Sequence, residues 1–184
     1  MALMHSTMVP LREPAHEFSL PGVDGRQYTL DSFKNKRILV VIFMCNHCPY
    51  VKAVLSRLID LQNQMAAEGV QLVGINSNDA TRYPDDSLEN MKKISEEKKI
   101  PFPYLFDETQ EIAKAYDAVC TPDIYVYGED RTLLYRGRID DNWEVPEKVT
   151  RTDLKEAVEA ALAGEKITEE QIPSMGCSIK WKQN

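Results

Sequence analysis

Arg37-Ile-Leu-Val-Val-Ile-Phe-Met44 runs without a break into Cys45-Asn46-His47-Cys48-Pro49, and residues 50–67 then carry apolar side chains at helical spacing. The run before the cysteines is hydrophobic on both faces, the pattern of a central parallel strand. Val51, Val54, Leu55, Leu58, Leu61 and Met65 mark one face of the helix, Pro49 suits its first turn, and Gly69 fits just past its end. Val70-Gln-Leu-Val-Gly-Ile-Asn76 reads as the next strand, completing a right-handed βαβ unit. Two thiols three residues apart at a strand-to-helix junction share one face of the first turn, within reach of a small disulfide ring. The helix N-terminus favours a thiolate there, expected on Cys45.

Outward from this unit, 17–20 and 26–30 are short strand candidates around a Pro-Gly-Val-Asp-Gly turn. Asp85-Asp86-Ser87 caps a charged helix reaching about Lys99, 101–106 is extended, and 109–116 is a short helix. Residues 123–127 and 132–137 form an antiparallel hairpin, and a last helix over about 151–163 stops at Gly164. The reading is an α/β fold: a mixed central β-sheet flanked by helices, with an N-terminal hairpin, a helical insertion and a C-terminal tail. Its expected organisation is an irregular lead-in over 1–16, one domain over 17–163, and a tail over 164–184 that packs irregularly on the domain. Chemistry in such sheets gathers at the carboxyl ends of parallel strands, where the Cys-Asn-His-Cys segment falls.

The net charge of −7 over 184 residues argues against a nucleic-acid binder and gives no reason to expect an anionic membrane partner. The apolar run 38–44 is too short to span a bilayer, and no basic-then-apolar leader opens the chain, so the expected compartment is the cytoplasm. In a reducing cytosol the four cysteines, Cys45, Cys48, Cys120 and Cys177, read as catalytic, metal-binding or buried rather than as structural disulfides. A structural zinc site needs four ligands, and no second closely spaced pair is present, so no metal is expected.

Cys45-X-X-Cys48 at the strand–helix junction, together with Thr121-Pro122 before the later hairpin, resembles the thioredoxin-like superfamily. The N-terminal hairpin and the inserted helix are more similar to its redoxin branch, where thiol-disulfide oxidoreductases and peroxiredoxin-like proteins meet. Phe43–Lys52, Tyr135-Arg-Gly-Arg-Ile-Asp-Asp and Gly176-Cys-Ser-Ile-Lys-Trp resemble an uncharacterised bacterial thioredoxin-family subgroup. The resemblance implies that Thr121-Pro122 is the cis-proline loop, which stacks beside the dithiol and presents backbone to the substrate. Met44 stands where thioredoxin has Trp, Asn46-His47 replaces Gly-Pro, and Leu39 replaces the buried acid of the preceding strand. The proton route therefore differs from thioredoxin's.

Cys45 is the expected nucleophile and Cys48 the resolving thiol, with Cys45 the more exposed. An imidazole at His47 is expected to lower the Cys45 pKa and make the pair more oxidising than thioredoxin's. Pro122 completes the catalytic set; Thr121, Met44, Arg138 and Trp143 are expected at the substrate-binding rim, with Asp140 and Asp141 beside them. Cys120, expected near the dithiol, is a third redox thiol, a soft-metal ligand or a buried filler; Cys177 is inert or an additional redox thiol. The leading reading is an enzyme without cofactor that exchanges protein or small-molecule disulfides and thiols and draws on an unidentified reductant. Two alternatives stand beside it: a peroxiredoxin-like thiol peroxidase with an antioxidant role, and a copper-type soft-metal binder using Cys45, Cys48 and Cys120.

Overall fold

The computed structural model describes residues 3–168 and 170–183. Met1 and Ala2 of the expected lead-in, and Glu169 and Asn184 of the tail, lie outside the described residues. In chain order the strands and helices are β1 (Leu3–His5), β2 (Ser19–Pro21), β3 (Gln27–Thr29), β4 (Ile38–Phe43), α1 (Pro49–Met65), β5 (Val70–Asn76) and α2 (Leu88–Lys98). There follow β6 (Tyr104–Phe106), α3 (Glu111–Ala115), β7 (Cys120–Thr121), β8 (Asp123–Tyr127), β9 (Leu133–Arg136), α4 (Asp153–Ala163) and β10 (Met175–Ser178). The central sheet has the order β6-β5-β4-β8-β9, with β4 parallel to β5 and antiparallel to β8. This is the mixed α/β architecture of the thioredoxin fold.

All six residues of β4 are buried, because successive side chains enter opposite cores. Ile38, Val40 and Ile42 meet α1 and α4 on one side. Leu39, Val41 and Phe43 meet Phe18, Leu20, Phe33 and Tyr116 on the other. Gly69 ends the turn after α1 at φ +89°, a conformation L side chains rarely adopt, and so delivers the chain directly into β5. Burial on both faces is what fixes β4, and β4 in turn fixes the position of the cysteines at its carboxyl end.

The lead-in and the tail depart from the irregular structure expected of them. β1 pairs antiparallel with β10, and β10 pairs antiparallel with β7, placing Cys177 opposite Thr121 and Ser178 opposite Cys120. Each of these strands is too short to show a local pattern, and each depends on a partner distant in sequence. Gly176 permits the contact: a Cβ added there would lie 1.9 Å from the Thr121 carbonyl oxygen. Within the tail, Met175–Ser178 is therefore a strand laid along the Thr121-Pro122 loop.

Candidate active site

β4 ends at Phe43, and the next five residues turn the chain into α1 with Cys48 as its N-cap (φ −69°, ψ 122°). The loop is held from outside by the insertion ahead of α2. Asp86, fully buried, accepts hydrogen bonds from the Asn46 amide (2.7 Å), His47 Nδ1 (2.5 Å) and Asn78 Nδ2 (2.8 Å). The Tyr104 hydroxyl donates to Asn46 Oδ1 at 3.0 Å, and the His47 ring stacks on Tyr83 at 5.4 Å. His47 is thus tied to a carboxylate and an aromatic ring.

The thiols converge on Thr121. Cys45 Sγ lies 3.5 Å from Thr121 Oγ1, and Cys48 Sγ lies 3.1 Å from the Thr121 carbonyl oxygen, beside the cis Thr121-Pro122 peptide. Both cysteines are buried, Cys45 at 1 % exposure and Cys48 at 0 %, so the expected contrast in exposure is absent. What distinguishes them is access: Cys45 lines a groove of about 590 Å³ between α1 and α2, walled by Met44, Val51, Leu55, Ile59 and Ile94.

The two thiols titrate as a coupled pair, with the shift downward on Cys48 and upward on Cys45. A hydrogen bond from Cys45, joined by others from Thr121, the Val51 amide and Cys177, lowers Cys48 to about 5 despite its burial. The Thr121 carbonyl accepts from the protonated Cys48 thiol and opposes this shift. Cys45 is pushed well above the ordinary thiol range by its hydrogen bond to Cys48, by burial and by the charge of Asp86. This reverses the expectation that His47 lowers the Cys45 pKa. The imidazole is engaged by Asp86, whose negative charge opposes a thiolate on Cys45, while Cys48 is the residue at the helix N-terminus.

The other expected site residues divide between two hollows. Pro122, Arg138 and Trp143 come together around a second hollow of about 290 Å³, with Tyr50 and Met175. There Trp143 packs on Tyr50 at 4.3 Å, and Arg138 Nε donates to Asp153 at 2.9 Å. Thr121 is 3 % exposed and its strand is paired with β10, so the backbone expected to meet substrate meets the chain itself. Met44 is buried and packs over Gly74, where an added Cβ would lie 2.8 Å from its Sδ, yet it borders the groove beside Cys45. Asp140 is tied to Arg57, and Asp141 caps Thr150.

Cys120 turns its thiol toward the Pro122 carbonyl at 3.7 Å, and burial raises its pKa. It does not join Cys45 and Cys48 in a soft-metal set. Among the described residues, Cys45, His47 and Asp86 form the group of three His, Cys, Asp or Glu residues whose donor atoms all lie within 4.8 Å of one another. Asp86 and Asn78 were not foreseen from the sequence: in Asp85-Asp86-Ser87 the capping signal belongs to Ser87, which accepts from the Asn90 amide at 3.3 Å, leaving Asp86 to turn inward. No helix among the described residues is long and apolar enough to cross a membrane.

Residues 11–136 match the AhpC/TSA family. Over 111 residues the chain is 27% identical to Peroxiredoxin Bcp of Escherichia coli K12, covering 59% of this chain and 66% of that protein, just under two thirds of its length. An uncharacterized conserved protein from Geobacillus kaustophilus is 48% identical and superposes with a TM-score of 0.95, covering 100% of this chain and 98% of the other. A thiol:disulfide interchange protein of the thioredoxin family from Chlorobium tepidum TLS shares the fold, with a TM-score of 0.64 at 21% identity over 85% of this chain and 99% of the other.

Proposed function

The chain belongs to the AhpC/TSA family, within the thioredoxin-like redoxins, and from that premise we propose that it is a thiol-disulfide oxidoreductase working through Cys45 and Cys48. The observation that carries this reading is the convergence of both thiols on Thr121, at 3.5 and 3.1 Å, with Cys45 bordering the groove. A substrate disulfide enters the groove and meets Cys45. As Cys45 attacks one sulfur, its proton passes to the Cys48 thiolate, and the Thr121 carbonyl accepts the new S–H. The other substrate sulfur leaves as a thiolate. That thiolate recovers the proton from Cys48, which attacks Cys45 in the mixed disulfide, closing Cys45–Cys48 and releasing the second thiol. The cycle uses two electrons and no organic cofactor; a reductant restores the dithiol. Asp86 and His47 hold the loop that presents Cys45.

A second reading, reduction of a peroxide by the same thiols, is supported by the family match and by the similarity to Peroxiredoxin Bcp. Against it, arginines that would polarise a peroxide are engaged elsewhere: Arg136 with Asp123, Arg138 with Asp153, and Arg57 with Asp140. Insulin-disulfide reduction and peroxide consumption, measured side by side on wild type, Cys45→Ser and Cys48→Ser, separate the two. Disulfide turnover lost in both variants is the expected result. Peroxide consumption without disulfide turnover would favour the second reading, and both activities intact in Cys45→Ser would overturn the first.

A further inference from the structure

β10 lies where it contacts the dithiol directly. Cys177 is paired in register with Thr121, the residue on which both active-site thiols converge. Its side chain is buried at 2 % exposure in the same core as Cys45 and Cys48, and its thiol is hydrogen-bonded to Cys48. Residues directly opposite in an antiparallel pair stand about 4.5–5.5 Å apart at Cα. Cys48 Sγ, at the Thr121 carbonyl, is therefore within reach of the strand on the other side. Gly176 allows that approach, because any side chain there would strike the Thr121 backbone. Cys120 is equally buried but points at the Pro122 carbonyl.

We propose that Cys177 is a third redox thiol of this site, exchanging with the Cys45–Cys48 disulfide to form Cys48–Cys177. The step rests on the dithiol reading above. Cys177 sulfur attacks Cys48 sulfur; the Cys45–Cys48 bond breaks; Cys45 leaves as a thiolate and takes up the proton that Cys177 gives up. One disulfide is exchanged for another, so no oxidant or reductant is consumed. The consequence is a division of labour. Cys45 returns as a thiol at the groove, while the oxidising equivalent is held between α1 and β10, and the tail becomes covalently fastened to the start of α1. Burial raises Cys177 to about 12, so the exchange accelerates with rising pH.

The test is peptide mapping of the full chain after diamide oxidation, acid quenching and alkylation. Wild type is expected to give a Cys48–Cys177 linked peptide with Cys45 alkylated, increasing with pH, and Cys177→Ser to give Cys45–Cys48 alone. Wild type that gives only Cys45–Cys48, with Cys177 fully alkylated, overturns the proposal and leaves the dithiol reading intact. If Cys177→Ser forms no Cys45–Cys48 bond and reduces no insulin, the dithiol reading fails instead. Cys45→Ser supplies a check free of any change in β10: it is expected to lose two thiols to an intrachain Cys48–Cys177 bond. Retention of both thiols there counts against the proposal.

Discussion

Gly176→Ala asks whether β10 shields the dithiol. The added Cβ would lie 1.9 Å from the Thr121 carbonyl oxygen, 2.6 Å from the Thr121 carbonyl carbon and 3.1 Å from the Pro122 nitrogen. All three are backbone atoms, and the shortest contact falls roughly 1.5 Å inside van der Waals distance. The strand must therefore shift, breaking the pairing of Cys177 with Thr121 and of Ser178 with Cys120. Forcing a methyl into a packed site costs about 1–3 kcal/mol. For a chain of this size that lowers Tm by about 2–12 °C. The same shift uncovers Cys48, so its alkylation by iodoacetamide should accelerate about tenfold, the equivalent of about 1.4 kcal/mol in a local opening equilibrium. Gly25→Ala is the control. Its φ of +81° makes alanine unfavourable, but nothing lies within 4 Å, so it should destabilise without changing thiol reactivity. Cys48 alkylation that is as slow in Gly176→Ala as in Gly25→Ala would refute the shielding role of β10.

The ultraviolet thiolate absorbance of the reduced protein should titrate with a first midpoint near 5 that is lost in Cys48→Ser; a first midpoint near 9 would remove the argument. Because this pKa is lowered on folding, its stabilisation is fully present above about 9 and is lost as pH falls toward 5. The reduced wild type should accordingly lose more stability than Cys48→Ser across that window, as read by urea denaturation. Asp86→Asn removes the charge that raises Cys45, so the pH profile of Cys45 alkylation should move downward; an unmoved profile would exclude the electrostatic role of Asp86. Asp123→Ala strips the carboxylate from Arg136, which is 0 % exposed, and should cost about 3–5 kcal/mol of stability by urea denaturation; a loss below 1 kcal/mol would mean that the buried pair is dispensable.

Much of the fold was legible because it rests on local signals. The two-faced apolar run of β4, the heptad-like spacing of α1, Gly69 and Gly164 at helix ends, and the 123–137 hairpin each declare themselves within a few residues. The dithiol and its Thr121-Pro122 neighbour were readable for the same reason, aided by the superfamily resemblance. What could not be read depends on long-range placement. β1 and β10 owe their existence to pairing across the fold, and their occupation of the Thr121 edge closes the surface that resemblance assigned to substrate. The proton balance of the pair was misjudged because burial and the Cys45–Cys48 hydrogen bond outweigh the imidazole, and because Asp86, which adds to them, lies 41 positions from Cys45 in an insertion. Its neighbour Ser87 carries the capping signal, which concealed the inward turn of the carboxylate. The burial of Met44 was hidden for a related reason: the bare backbone of Gly74 on the adjacent strand makes room for it at the base of the groove.

The reduction potential of Cys45–Cys48 tests the central claim most directly, measured by equilibration with glutathione buffers in Cys177→Ser so that one disulfide is followed. A thiolate midpoint near 5, against the value of about 7 for the thioredoxin nucleophile, stabilises the reduced form at pH 7 by roughly 2 kcal/mol. At about 30 mV for each 1.4 kcal/mol this raises the potential by roughly 50 mV, from about −270 mV for thioredoxin to about −220 mV. A value near −220 mV is the expected result. A potential at or below thioredoxin's, or no Cys45–Cys48 disulfide at any buffer ratio, would contradict a redox dithiol whose first thiolate forms near 5.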